Sequence, residues 1–104
     1  LTKKRAIDLS IELWTWLAET GKEQDEWSEW NKFGSIEYDC FLCEYGLQRS
    51  RISEKQRCVH CPYFAKYGLC DLIGTAYAKW NRAPNNKMSK LHAAAFLKQL
   101  EELK

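Results

Sequence analysis

The sequence has no long apolar run. Its opening, Leu1-Thr2-Lys3-Lys4-Arg5, leads into a segment that carries Asp8 and Glu12 among its hydrophobic residues, so neither a signal peptide nor a membrane span is expected, and the expected location is the cytoplasm. Charge of one sign is also scarce. Sixteen Lys and Arg against fourteen Asp and Glu leave a net +2, far short of a domain built throughout to cover phosphates. No internal repeat or low-complexity segment is present, and strand signal is weak and confined to Ile36 to Phe41. The H-x-E and P-C-x-x-C pair of the zinc deaminases is missing, as is the tight C-x-x-C-x-x-C run of bacterial ferredoxins.

What is present is enough to fold. The 104 residues form one expected domain, 1–104, and a composition that is 45% hydrophobic with five Trp and five Tyr is too apolar for a disordered chain. At this length a single core leaves a thin stability margin, so a staple would help. The expected fold is mainly α, a small zinc-stapled domain whose terminal helices flank a loop-rich, Cys-rich centre. From about 3 to 20, Ala6, Ile7, Leu9, Ile11, Leu13, Trp14, Trp16, Leu17 and Ala18 recur at helical spacing, and Gly21 supplies a stop. The acidic stretch Lys22 to Ser35, with Trp27, Trp30 and Phe33 three apart, reads as a loop followed by a short helix.

In the centre, about 36–82, little periodicity is visible, and a bound metal rather than a broad apolar face is expected to order it. Pro62 to Tyr67 fits one or two helical turns ended by Gly68, and Thr75 fits a cap for a turn through Tyr77 and Trp80. Ser89 or Asn86 is expected to cap a last helix over about 87–104. Its stripe is Leu91, Ala94, Ala95, Leu97, Leu100 and Leu103, with Phe96 beside it, and the two end helices are expected to pack together.

Five cysteines carry the chemistry. Cys40 and Cys43 form one C-x-x-C pair, Cys58 and Cys61 form another, and fourteen residues separate them. A two-residue gap lets one turn aim both thiolates at an ion at about 2.3 Å, and two such turns complete a tetrahedral S4 shell, for which Zn2+ is the best fit. Cys70 is an alternate ligand, able to replace one member of the second pair. Disulfides fit less well with an odd number of cysteines and no secretion signal. His60 lies inside the second knuckle and reads as an outer-shell or surface residue; His92 reads as a packed or surface residue of the last helix. Four thiolates would leave no open position for water, so no catalytic residue and no enzymatic activity are expected.

Two surfaces of opposite sign follow from Glu19, Glu23, Asp25, Glu26 and Glu29 in one segment and Arg49, Arg51, Lys55 and Arg57 in another. The four cations lie between the knuckles, where they would meet nucleic acid, a nucleotide or an acidic protein face. Tyr45, Tyr63, Phe64, Tyr67, Tyr77 and Trp80 flank the cysteines; they suit base stacking, but the core needs them more.

The order of these features has a likeness. A-x-x-L-S-I-x-x-W (Ala6, Leu9, Ser10, Ile11, Trp14), C-x-L-C (Cys40 to Cys43), C-x-x-C-P (Cys58 to Pro62), Gly68 with Cys70, Thr75-x-Tyr77 with Trp80, and F-L-x-x-L-x-x-L (Phe96 to Leu103) together resemble a family of small cysteine-rich bacteriophage and prophage accessory proteins. Relatives in that family more often have C-P-L-C and T-P-Y, where this chain has Phe41 and Ala76. The resemblance implies a phage or prophage accessory protein and brings no catalytic assignment with it. The expectation is a zinc-binding protein that engages a host factor, blunting an antiviral defence; the alternative is a nucleic-acid or nucleotide sequestering protein.

Overall fold

The structure is a computed structural model that describes residues 2–32, 40–49, 61–70 and 72–104, without the side chains of 31 and 47–49. Helix α1 runs Lys3–Thr20. The Thr2 hydroxyl accepts the Arg5 N–H at its start, and at its end Gly21 takes a left-handed φ of 69° and returns its N–H to the Leu17 carbonyl. The apolar face read from the spacing is buried through Ala6, Ile7, Leu9, Leu13, Trp14 and Leu17, with Ile11, Trp16 and Ala18 half-buried at its margins. Two short 3-10 turns follow, Gln24–Glu26 and Ser28–Lys32, where a loop followed by a short helix was expected. The reciprocal Glu23–Glu26 capping box and the Trp30 indole N–H on the Gln24 carbonyl at 2.9 Å hold these turns tight.

Helix α2, Phe41–Arg49, is an element that the sequence did not announce. Phe41 is 1% exposed, against Trp27 and Trp30 with ring centroids at 6.0 and 5.0 Å, and Leu42 is buried beside it. Apolar burial therefore helps to anchor this part of the centre. Helix α3, Pro62–Tyr67, and helix α4, Ala76–Asn81, match the turns read from Pro62, Gly68 and Thr75. The Thr75 hydroxyl accepts the Ala78 N–H as the cap of α4.

Helix α5, Asn86–Glu101, is capped by Asn85, whose side chain accepts the Met88 N–H; neither Asn86 nor Ser89 does this. Asn86 instead donates its side-chain amide to the carbonyls of Thr20 and Gly21 at 3.2 and 3.1 Å, tying the start of α5 to the end of α1. The buried face of α5 is Ala93, Phe96 and Leu100, flanked by Leu97 and Leu103, while Leu91, Ala94 and Ala95 are exposed. The expected stripe is thus rotated toward Phe96, because that ring fills the space between Trp14 at 4.5 Å and Tyr63 at 5.2 Å.

Helix α5 packs on α1 and α4, as the pairing of the end helices required, and α1 also packs on α2. The Tyr63 hydroxyl donates to Gln99, and Lys66 and Tyr67 donate to Glu102, pinning α3 to the end of α5. A Cα radius of gyration of 13.1 Å matches a compact chain of this length. Among the described residues there is no strand, and no helix is long and apolar enough to cross a membrane.

Candidate functional site

Four of the five cysteines fall within the described residues, all as thiols: Cys40, Cys43, Cys61 and Cys70. Cys40 stands immediately before α2. Its carbonyl accepts the Glu44 N–H at 2.9 Å, and its sulfur accepts the Cys43 N–H at 3.4 Å. The thiol thus does what a serine cap does, and the first C-x-x-C is the opening turn of a helix rather than a free-standing tight turn. Buried Phe41 and Leu42, the two residues between these cysteines, fix that turn against the core. Cys61 occupies the corresponding position before α3, with Pro62 as the first helical residue.

These two helix starts meet where α2 packs against α3, and between them lies a cavity of about 20 Å3. Cys43, Cys61 and Cys70 line it, with Tyr63, Phe64, Gly68 and Leu69. Its size is that of roughly one water-sized sphere. Cys40 belongs to the same group electrostatically. Hydrogen bonding with the Cys43 side chain, then burial, then the charges of Cys43 and Cys61 push the Cys40 thiol well above its ordinary range. Burial, followed by the charge of Cys70, likewise raises the Tyr63 hydroxyl. A divalent cation reverses this logic, since it stabilises the thiolates that burial and mutual repulsion disfavour.

The donors fit zinc in kind, being sulfurs from two helix starts and a returning loop. They do not form a closed shell: among the described residues, no three His, Cys, Asp or Glu side chains form a group that could hold an ion. Ligation would draw the sulfurs in to about 2.3 Å from a common centre.

The expected ligands thus divide. Cys40, Cys43 and Cys61 are brought to one junction, and Cys70 joins them. Cys58, the fourth member of the paired reading, lies outside the described residues, as do His60, Arg51, Lys55 and Arg57; Arg49 is the last residue of α2. His92 is half-buried on α5 and lines a different cavity, with Ile73, Lys79 and Arg82. None of the five Trp is exposed, and Tyr45, Tyr63, Tyr67 and Tyr77 pack in or against the core, so the flanking aromatics serve burial. Phe64 at 37% exposure is the exception.

Phe41 is the residue whose role the sequence hid. A phenylalanine between two ligand-spaced cysteines carries no local signal of burial, because its burial against Trp27 and Trp30 depends on a tertiary contact. Comparison of the chain with protein-family models, with curated proteins and with solved structures gave no match. Function is therefore argued from the residues themselves.

Proposed function

We propose that the chain is a non-enzymatic binding protein whose α2–α3 junction is stapled by one Zn2+ and whose partner is a protein. The observation that carries this reading is the small cavity lined by Cys43, Cys61 and Cys70, with the Cys40 sulfur bonded to the same helical turn. Sulfur-rich sites of this kind serve structure more often than catalysis, because a full thiolate shell keeps no position for substrate or water. Among the described residues lining the cavity there is no carboxylate and no imidazole.

Beyond Cys70 the surface turns apolar. Leu72 is 55% and Ile73 82% exposed, close in the chain to the cavity residues Phe64 and Leu69. Large aliphatic side chains left in water on a loop adjoining a stapled junction suit a protein partner better than a phosphate backbone. The resemblance to bacteriophage accessory proteins makes that partner a host factor, and its engagement would blunt an antiviral defence.

Capture from a bacterial host lysate tests this, using the zinc-loaded chain as bait. One stoichiometric protein should be retained, and it should be lost with Leu72→Glu plus Ile73→Glu but kept with Leu91→Glu, a change at a 59% exposed site on α5. Equal capture by all three would place the partner surface elsewhere. The alternative, nucleic-acid or nucleotide binding through Arg49, Arg51, Lys55 and Arg57, gains no described observation. Binding to an oligonucleotide that falls steeply with salt would support it instead.

A further inference from the structure

We infer that the cleft between α4 and α5 binds an acidic amphipathic segment of a partner protein, with apolar side chains turned inward and carboxylates on its cationic rim. This rests on the protein-binding reading above and goes further, because it places the contact in one cleft and fixes the partner's chemistry.

The cleft encloses about 370 Å3, within the roughly 300–1,000 Å3 of ligand-sized sites. Ile73, Ala78, Ala83 and Pro84 form its apolar wall, and Lys79, Arg82 and His92 stand beside them. Its outer edge is a hydrogen-bonded turn. The Leu72 carbonyl accepts the Thr75 N–H at 3.0 Å, and Gly74, third of these four residues, has the positive φ, 95°, that a type II turn requires. The Thr75 hydroxyl, whose oxygen caps α4, lies 2.7 Å from the same carbonyl. Ile73, 82% exposed, is thus held out in water at the second position of a turn tied to a helix start. An aliphatic side chain presented in this way is already ordered for a partner, which lowers the entropic cost of binding.

Charge selects the partner. From Leu72 to Leu100 the chain carries Lys79, Arg82, Lys87, Lys90 and Lys98 and no Asp or Glu, so the net +2 of the whole chain conceals a segment of charge +5. Lys79 and Arg82 are exposed, and no carboxylate is among the described residues lining the cleft. Carboxylates of the partner answer these cations, and its apolar anchors answer Ile73 and the alanine–proline wall. A nucleic acid suits the cleft less well, because no Phe, Tyr or Trp among the described lining residues offers a base a face to stack on.

The test selects binders to the immobilised full-length chain from a displayed random peptide library, and measures the affinity of the synthetic peptides by isothermal titration. Recovered peptides should carry an excess of Asp and Glu beside Leu, Ile, Phe or Trp. Ile73→Glu and, separately, Lys79→Glu plus Arg82→Glu should each weaken binding more than about tenfold, with circular dichroism unchanged. Lys98→Glu, a charge reversal off the cleft, should leave affinity as it was. A peptide with Lys in place of each acid should bind the Lys79→Glu plus Arg82→Glu chain better than the parent, which a mere loss of folding would not produce. Enrichment of basic or uncharged peptides, affinities unmoved by Lys79→Glu plus Arg82→Glu, or no enrichment at all overturns the inference. The lysate capture with Leu72→Glu plus Ile73→Glu then still decides the protein-binding reading separately. Displacement of the peptides by a single-stranded oligonucleotide whose own binding is lost with Lys79→Glu plus Arg82→Glu would assign the cleft to phosphates and overturn the inference as well.

Discussion

Replacing Gly21 with alanine probes the seam between the two long helices. Gly21 has φ 69°, and a Cβ there would stand 2.2 Å from the Asn86 side-chain nitrogen, the atom that donates to the carbonyls of Thr20 and Gly21. A left-handed conformation costs a non-glycine residue about 1–2 kcal/mol, of which the stiffer unfolded chain returns about 0.4–1. The methyl group also evicts the Asn86 amide and its two exposed hydrogen bonds, at about 0.5–1 kcal/mol each. Gly21→Ala should therefore cost about 2–3 kcal/mol, Asn86→Ala about 1–2, and the double variant no more than Gly21→Ala alone, because the bonds can be lost only once. Urea unfolding at saturating zinc measures all three. In thermal melts Gly21→Ala should lower Tm by roughly 8–20 °C. Strictly additive costs, or a Gly21→Ala variant as stable as the parent, would refute the reasoning.

Three further outcomes follow from the same packing. Phe96→Ala, at a site 5% exposed between Trp14 and Tyr63, should cost about 3–5 kcal/mol, whereas Leu91→Ala on the exposed side of α5 should stay within about 0.5; equal costs in urea titrations would mean that the helix is turned otherwise. Cys43→Ser and a zinc chelator should lower Tm alike, out of a metal contribution on the order of 10 kcal/mol, with most far-ultraviolet ellipticity kept by α1 and α5; a parent indifferent to chelator would contradict this. The Tyr67 hydroxyl, held by Glu102, is pushed from 10.0 to about 12. Raising this pKa favours the protonated form of the folded chain, so the stabilisation is complete below pH 10 and lost as pH rises toward about 12. Phenolate absorbance should show a tyrosine titrating near 12 that disappears in Tyr67→Phe.

Much of the helical frame was legible because its signals are local. Gly21 ends α1 and Thr75 caps α4 through their own backbone and hydroxyl chemistry, and the bounds of α1 and α3 follow from such signals. The start of α5 was not, since Asn85 and Asn86 are chemically identical neighbours. Only the proximity of the Gly21 carbonyl decides which one caps and which one bridges. Helix α2 was missed for a related reason: Phe41 and Leu42 make too short an apolar run to announce a core face, and their value depends on Trp27 and Trp30 arriving from another segment. Of the candidate site, the spacing of Cys40 and Cys43 was readable. The approach of Cys70 was open only as an alternative, because it depends on the conformation of Gly68 and on the hydrogen bond from Thr75.

Elemental analysis of the reduced, desalted chain tests the account most directly. One zinc atom per polypeptide, released in step with thiol modification, is the result it requires. Fully reduced thiols with no stoichiometric transition metal, in protein that is nonetheless folded and stable, would contradict it.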